Sequence, residues 1–217
     1  YVAVGKDGSA TAAKTINYSA DGLNWYAATS PFNTAGGYCN GIAYNGTVWV
    51  AVGSNVAVAS APTVTVAYSY DGITWNSVTG GTTFNGTAGG VAYGVAWGKD
   101  KFVSVGCSAS TTPVTNTCIY SYDGINWTAA ANNIFATGSG AIAYGVCYTG
   151  SRWVAVGGQT GAATVPSAYV GYSADGITWT AGSGLTLTAG GAFRAVAWNG
   201  IIFVMVGALA ALTPATT

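Results

Sequence analysis

The hydrophobic positions fall in short alternating stretches broken by glycine and by Asn-Gly or Asp-Gly pairs, and no stretch sustains a helical period. The stretches recur. YVAVG at Tyr1, WVAVG at Trp49, FVSVG at Phe102, WVAVG at Trp153 and FVMVG at Phe203 are versions of one strand. GIAYNG at Gly41, GVAWGKD at Gly94, GVCYTG at Gly145 and AVAWNG at Ala195 each precede one of them. YSADGLNW at Tyr18, YSYDGITW at Tyr68, YSYDGINW at Tyr120 and YSADGITW at Tyr172 follow, with starts 50, 52 and 52 residues apart. Three motifs in fixed order at a period near 50 residues mark a repeat protein.

Each repeat predicts four short strands. The GVAWNG-like strand leads through a tight NG-type turn into the (W/F)VAVG strand. The third strand ends in YS, the DG pair makes the next turn, and the fourth begins near the Trp. In Trp49-Val50-Ala51-Val52 both faces of the strand are apolar, which requires a sheet packed between two others. The expected fold is therefore all-β: a β-propeller of four-stranded antiparallel blades, about 50 residues each. A β-solenoid is the rival, but its coils are shorter and lack hairpins within the repeat. The repeats are drawn at 1–40, 41–93, 94–144 and 145–194, with a partial repeat at 195–217. All belong to one propeller domain or to a segment of a larger one. The chain opens and closes on a second strand, so it holds four repeats plus an extra strand. Either a four-bladed ring closes with strands from both termini, or the chain is a piece of a longer propeller; the absence of an initiator Met favours the piece.

Composition narrows the chemistry. The 217 residues include six Lys and Arg, six Asp, no Glu and no His, with zero net charge. Nothing here neutralises a run of phosphates, so nucleic acid is not an expected partner. His-based general catalysis, His-containing triads and the usual His-containing zinc sites are excluded, and neither a metal nor a cofactor is expected. The longest apolar run, near Ile201 to Leu212, is too short to span a bilayer, which takes about 20 residues, so membrane insertion is not expected.

The recurring S-x-D-G-x-(N/T)-W resembles the Asp-box of sialidases and other β-propellers, with one residue fewer between Asp and Gly. The longer repeat is similar in style to tandem repeats of large DNA viruses and phages. The Asp-box resemblance implies a structural turn away from any catalytic face, and the residues agree. Asp21, Asp71, Asp123 and Asp175 can accept backbone N–H bonds, Gly22, Gly72, Gly124 and Gly176 supply positive φ, and Trp25, Trp75, Trp127 and Trp179 cover the turn. Calcium would need several more oxygens per site. Only Asp7 and Asp100 remain as carboxylates, both at turn-like positions. Sialidases grip their substrate with three Arg and use a Tyr–Glu pair; this chain has Arg152 and Arg194 and no Glu, so that chemistry does not carry over. The two flanking carboxylates of a glycosidase are equally missing.

Aligning the repeats leaves one variable column before the first strand: Asn40, Tyr93, Tyr144 and Arg194. In a propeller this column rings one mouth of the central channel, where it either binds a sugar or small polar ligand or plugs the channel. The loops Ser54–Ala67 and Gly158–Gly171 vary among repeats and are expected at an outer surface. Cys107 and Cys118 face each other across a loop and are placed for a disulfide, whereas Cys147 replaces an Ala of the core. The sequence thus points to a non-catalytic structural or adhesive module on a virion or cell surface, meeting a glycan, a protein surface or neighbouring subunits of an assembly. The alternatives are a sugar-binding lectin using the column and, behind it, a sialidase-like glycoside hydrolase fragment.

Overall fold

The structure, a computed structural model, describes residues 1–6, 14–57, 60–85, 88–108, 116–132, 134–135, 141–159, 168–185 and 191–208. Asp7 and parts of both variable loops lie outside these residues. The described chain is all β, with antiparallel pairing between successive strands and no helix among the described residues.

The strands form repeating units. The first unit is a three-stranded sheet of β1 (Val2–Val4), β2 (Ile16–Tyr18) and β3 (Tyr26–Ala27). The second is β4 (Tyr38–Tyr44), β5 (Trp49–Ser54), β6 (Val66–Ser69) and β7 (Asn76–Ser77), in that order. The third repeats it with β8 (Val91–Gly98), β9 (Lys101–Cys107), β10 (Cys118–Ser121) and β11 (Thr128–Ala129). The fourth comprises β12 (Ala141–Tyr148), β13 (Trp153–Gln159), β14 (Val170–Ser173) and β15 (Thr180–Ala181). One pair, Gly158 with Ala192, joins it to β16 (Ala192–Trp198) and β17 (Phe203–Ala208), giving a six-stranded sheet. The leading strands begin three or four residues before the repeat boundaries drawn at 41, 94 and 145.

The turn between the first and second strands is longer than an NG dipeptide suggests. Tyr44 pairs with Trp49, leaving a four-residue loop in which Asn45 Oδ1 accepts from Thr47 and Val48 N–H at 2.9 and 2.7 Å. The side chain stands in for backbone partners, so the loop need not tighten. Only β8–β9 turns in two residues, and there Lys99 takes φ 59°.

The DG turns are identical in four places. Ser19 Oγ donates to Asp21 Oδ1 at 2.9 Å, and Leu23 and Asn24 N–H donate to the same oxygen at 2.8 Å. Gly22 N–H closes on Ser19 Oγ at 2.8 Å. The same set of bonds recurs around Asp71, Asp123 and Asp175. Gly22, Gly72, Gly124 and Gly176 have φ between 73° and 78°, which a side chain would strain.

The units stack through apolar cores between them. Trp75 packs with Ile16, Ala28 and Phe32; Trp127 with Val50, Val66 and Phe84; Trp179 with Val103, Cys118 and Phe135. Each of these Trp side chains thus lies against the preceding unit. Trp25 departs from the expectation that all four cover their turns in the same way: among the described residues no other unit packs over it, and it is 44% exposed against 5%, 2% and 3% for the others. Phe32, Phe84 and Phe135, each following the DG-turn strand that closes its unit, are a further recurring core position, fully buried and not singled out from the sequence.

Candidate functional site

The leading strands β4, β8, β12 and β16 lie side by side in succession. They approach closely because the position after each column residue is small. A Cβ placed on Gly94 would lie 2.9 Å from Tyr144 O, and one on Gly145 would lie 3.2 Å from the Ala195 Cα. A Cβ on Gly41 would meet the Gly94 Cα at 3.5 Å. The glycines of the GIAY, GVAW and GVCY motifs therefore allow backbone to pass backbone along an inner seam.

Asn40, Tyr93, Tyr144 and Arg194 occupy the same structural position in the four strands. In each hairpin the register shifts at that residue: between Cys39 and Gly41, Ala92 and Gly94, Ala143 and Gly145, and Phe193 and Ala195. Each is the extra residue of a β-bulge, without a partner in the ladder, and a bulge re-aims its side chain.

The bulges bring the column together. Asn40 Nδ2 donates to Ala92 O at 3.0 Å, tying the second unit to the third. The Tyr93 and Tyr144 rings lie 4.9 Å apart, centroid to centroid, and the Arg194 guanidinium sits 4.3 Å above the Tyr144 ring. Tyr144 is buried, Tyr93 half-buried, and Asn40 and Arg194 exposed. Burial pushes the Tyr144 phenol up, with the Arg194 charge opposing it, and burial pushes Tyr93 up as well.

Two further residues belong beside this row. Tyr38 lies two residues ahead of Asn40, where the other units carry Val91, Ile142 and Ala192. Its ring is buried with Cys107 and Tyr144, and its hydroxyl has no hydrogen-bond partner among the described residues. Lys6 Nζ stands 5.7 Å from the centre of the Tyr38 ring. The signal available in the sequence was a hydroxylated aromatic in an otherwise aliphatic column.

The cysteines depart from the expected bridge. No disulfide joins Cys107 to Cys118. Cys107 Sγ lies 3.3 Å from Gly89 O among the residues around Tyr38, whereas Cys118 pairs with Val105 and packs beneath Trp179. The two therefore belong to different apolar clusters. Cys147 is a half-buried residue of β12.

The carboxylates are accounted for as far as they are described. Asp21 is held well below the usual carboxylate range by the Asn24 backbone and side-chain amides and by Leu23 N–H. Burial raises Asp123, but the Asn126 amides and Ile125 N–H outweigh it and hold the group at about 2. Asp71 is lowered by Thr74 and Ile73 N–H; Asp175 is lowered by Thr178 and Ile177 N–H against an opposing burial effect. Asp100 pairs with Lys101 Nζ at 2.6 Å, and Lys101 also lies 5.0 Å from the Tyr122 ring centre. Among the described residues no group of three or more Cys and Asp is arranged to hold a metal ion.

No protein-family model matches the chain, and no curated protein matches it. Among solved structures, it is similar to the crystal structure of the computationally designed Ika8 protein, at 9% identity and a TM-score of 0.50, a likeness of fold alone. The match covers 95% of this chain and 55% of that one, so the chain spans about half the length of the protein it resembles.

Proposed function

We propose that the chain is a non-catalytic structural or adhesive module whose stacked units are blades of a β-propeller, presenting a rigid face to a glycan or protein partner at a virion or cell surface. One observation carries this reading. Each of the four Ser-x-Asp-Gly turns engages its carboxylate through Oδ1 in backbone N–H bonds of the turn, and Asp100 is paired with Lys101. The inner seam of glycines and the Trp-filled interfaces favour a stiff frame over a moving one.

A second reading is favoured by the bulges. They aim an amide, two phenols and a guanidinium along one line, a set suited to stacking on and hydrogen bonding to a sugar. Glycan-array binding by the folded chain, beside Arg194→Ala and Tyr144→Phe, separates the two. Binding lost in both variants makes the row a lectin site. Binding that survives both, or is absent from a well-folded sample, leaves the row as a seam. Turnover of any glycoside by the purified chain would overturn the non-catalytic reading.

A further inference from the structure

Two of the four DG turns stand beside a pair of tyrosines. In the second and third units the turn motif reads YSYDG, with Tyr70 and Tyr122 just ahead of the Asp, where the first and fourth units carry Ala20 and Ala174. The Tyr68 and Tyr70 rings lie 5.9 Å apart, centroid to centroid, at 82° to each other; those of Tyr120 and Tyr122 lie 5.9 Å apart at 87°. The same right-angled corner is thus built twice. Tyr70 and Tyr122 are 61% and 55% exposed, so neither ring fills a core. Each corner is made of residues of one interior unit.

Polar groups complete the corner. In the third unit Tyr120, Ser121, Tyr122, Asp123, Asn126 and Thr128 surround an open cavity of about 190 Å³. Asp123 Oδ1 is taken up by Ser121 Oγ and by the N–H groups of Ile125 and Asn126. Its Oδ2 accepts only from Asn126 Nδ2, at 2.7 Å, which leaves an acceptor direction open. In the second unit Thr74 stands in place of that Asn, and Asp71 Oδ2 has no partner among the described residues. Asn76 there faces Tyr68 across the ladder as Thr128 faces Tyr120, so both corners have a neutral hydrogen-bonding side chain at the same place.

This set selects its ligand by elimination. A carboxylate at the rim repels an anion and accepts from hydroxyl groups instead. A cationic ligand would meet the ammonium of Lys101, which already lies 5.0 Å from the Tyr122 ring centre and is paired with Asp100 at 2.6 Å. A purely apolar ligand would leave the open carboxylate oxygen without a donor. A pyranose offers both surfaces that remain to be matched: C–H groups for an exposed aromatic face and hydroxyls for the carboxylate. We infer that the Tyr68–Tyr70–Asp71 and Tyr120–Tyr122–Asp123 corners are twin binding sites for the sugar rings of a neutral glycan. Held one unit apart on a stiff frame, the two shallow sites engage one extended or clustered glycan together and gain by avidity what each lacks alone.

This inference rests on the reading above of a face presented to a glycan, and assigns that face to the DG turns in place of the bulged row. The test is an array of neutral glycans ending in glucose, galactose, mannose or N-acetylglucosamine, printed beside sialylated ones. The chain is applied as wild type, Tyr70→Ala, Tyr122→Ala, the double variant and Arg194→Ala, with circular dichroism to show that each keeps its strands. Both tyrosines are exposed, so their truncation opens no core. Wild type and Arg194→Ala are expected to be retained alike on neutral glycans, each single Tyr variant about tenfold or more weakly, and the double variant not at all. A double variant that binds like wild type, a preference for sialylated glycans, or release by a quaternary ammonium salt but not by free sugar would each overturn the sites. Loss confined to Arg194→Ala would overturn them too, and move glycan binding to the bulged row. Retention on no glycan removes the corners while leaving the scaffold its protein partner; only glycoside turnover removes the non-catalytic reading itself.

Discussion

The strands β9 and β17 carry nearly the same sequence, FVSVG and FVMVG, and meet opposite fates. Every residue of β9 is buried, while Phe203, Val204 and Val206 of β17 are 39%, 53% and 58% exposed. Among the described residues, β9 has a unit on each side and β17 has one on one side only. Alternation along a strand tells which side chains share a face, but whether that face is dry depends on what is stacked against it. In this molecule burial belongs to the position in the stack, and the motif only makes burial possible.

The sharpest way to break that comparison is to truncate the same aromatic in both strands. Phe102→Ala, in a fully buried site, is expected to cost about 3–5 kcal/mol, and Phe203→Ala about 1 kcal/mol, read by denaturant unfolding. Equal losses would show that the outer face of β17 is covered in solution.

A finer test uses two glycines with the same backbone. Gly22 and Gly124 both have φ of 78°, so the conformational strain of an Ala cancels in the difference between them. What remains is contact with the preceding unit: Val50 Cγ2 at 2.8 Å for Gly124, against nothing nearer than 3.6 Å for Gly22. Gly124→Ala should be the more destabilising by about 1–3 kcal/mol. A vanishing difference would mean that the interface yields without cost.

The smallest effect is electrostatic. The four turn carboxyls are depressed, Asp123 to about 2, so their contribution to stability is complete above the ordinary Asp value near 3.9 and is lost as pH falls from there towards 2. With no His, no comparable loss is expected between pH 5 and 8. Acid unfolding followed by Trp fluorescence should show a flat plateau down to about pH 4. Asp123→Asn should lower stability on that plateau and flatten the slope beneath it. A midpoint near pH 6 would refute this account.

Much of this was legible in the sequence, for a physical reason. The repeats displayed the strand order, the DG turns and the recurring Trp because those positions obey local rules four times over, and repetition separates rule from accident. The column Asn40, Tyr93, Tyr144, Arg194 was visible as the place where the rule lapses. That each is a bulge was not, because a bulge is a relation between two strands and leaves no mark in either one alone. The exposure of Trp25 was hidden for the same reason: its motif follows the other three, and what packs over it among the described residues is a relation between units. The Cys107–Cys118 expectation rested on closeness along a hairpin, whereas the packing assigns the two thiols to separate clusters.

The bulges carry one more consequence, for how the chain finds its fold. Nearly identical repeats can exchange strands: a leading strand could pair one repeat away with every backbone bond intact, and the ladder would not register the error. Its bulged residue would. Asn40 reaches for a carbonyl of the next unit, Tyr93 for a ring, and Tyr144 for both a ring and a guanidinium, so each junction along the seam is chemically different. The one position freed from pairing thus serves as an address, telling otherwise interchangeable strands which repeat they belong to.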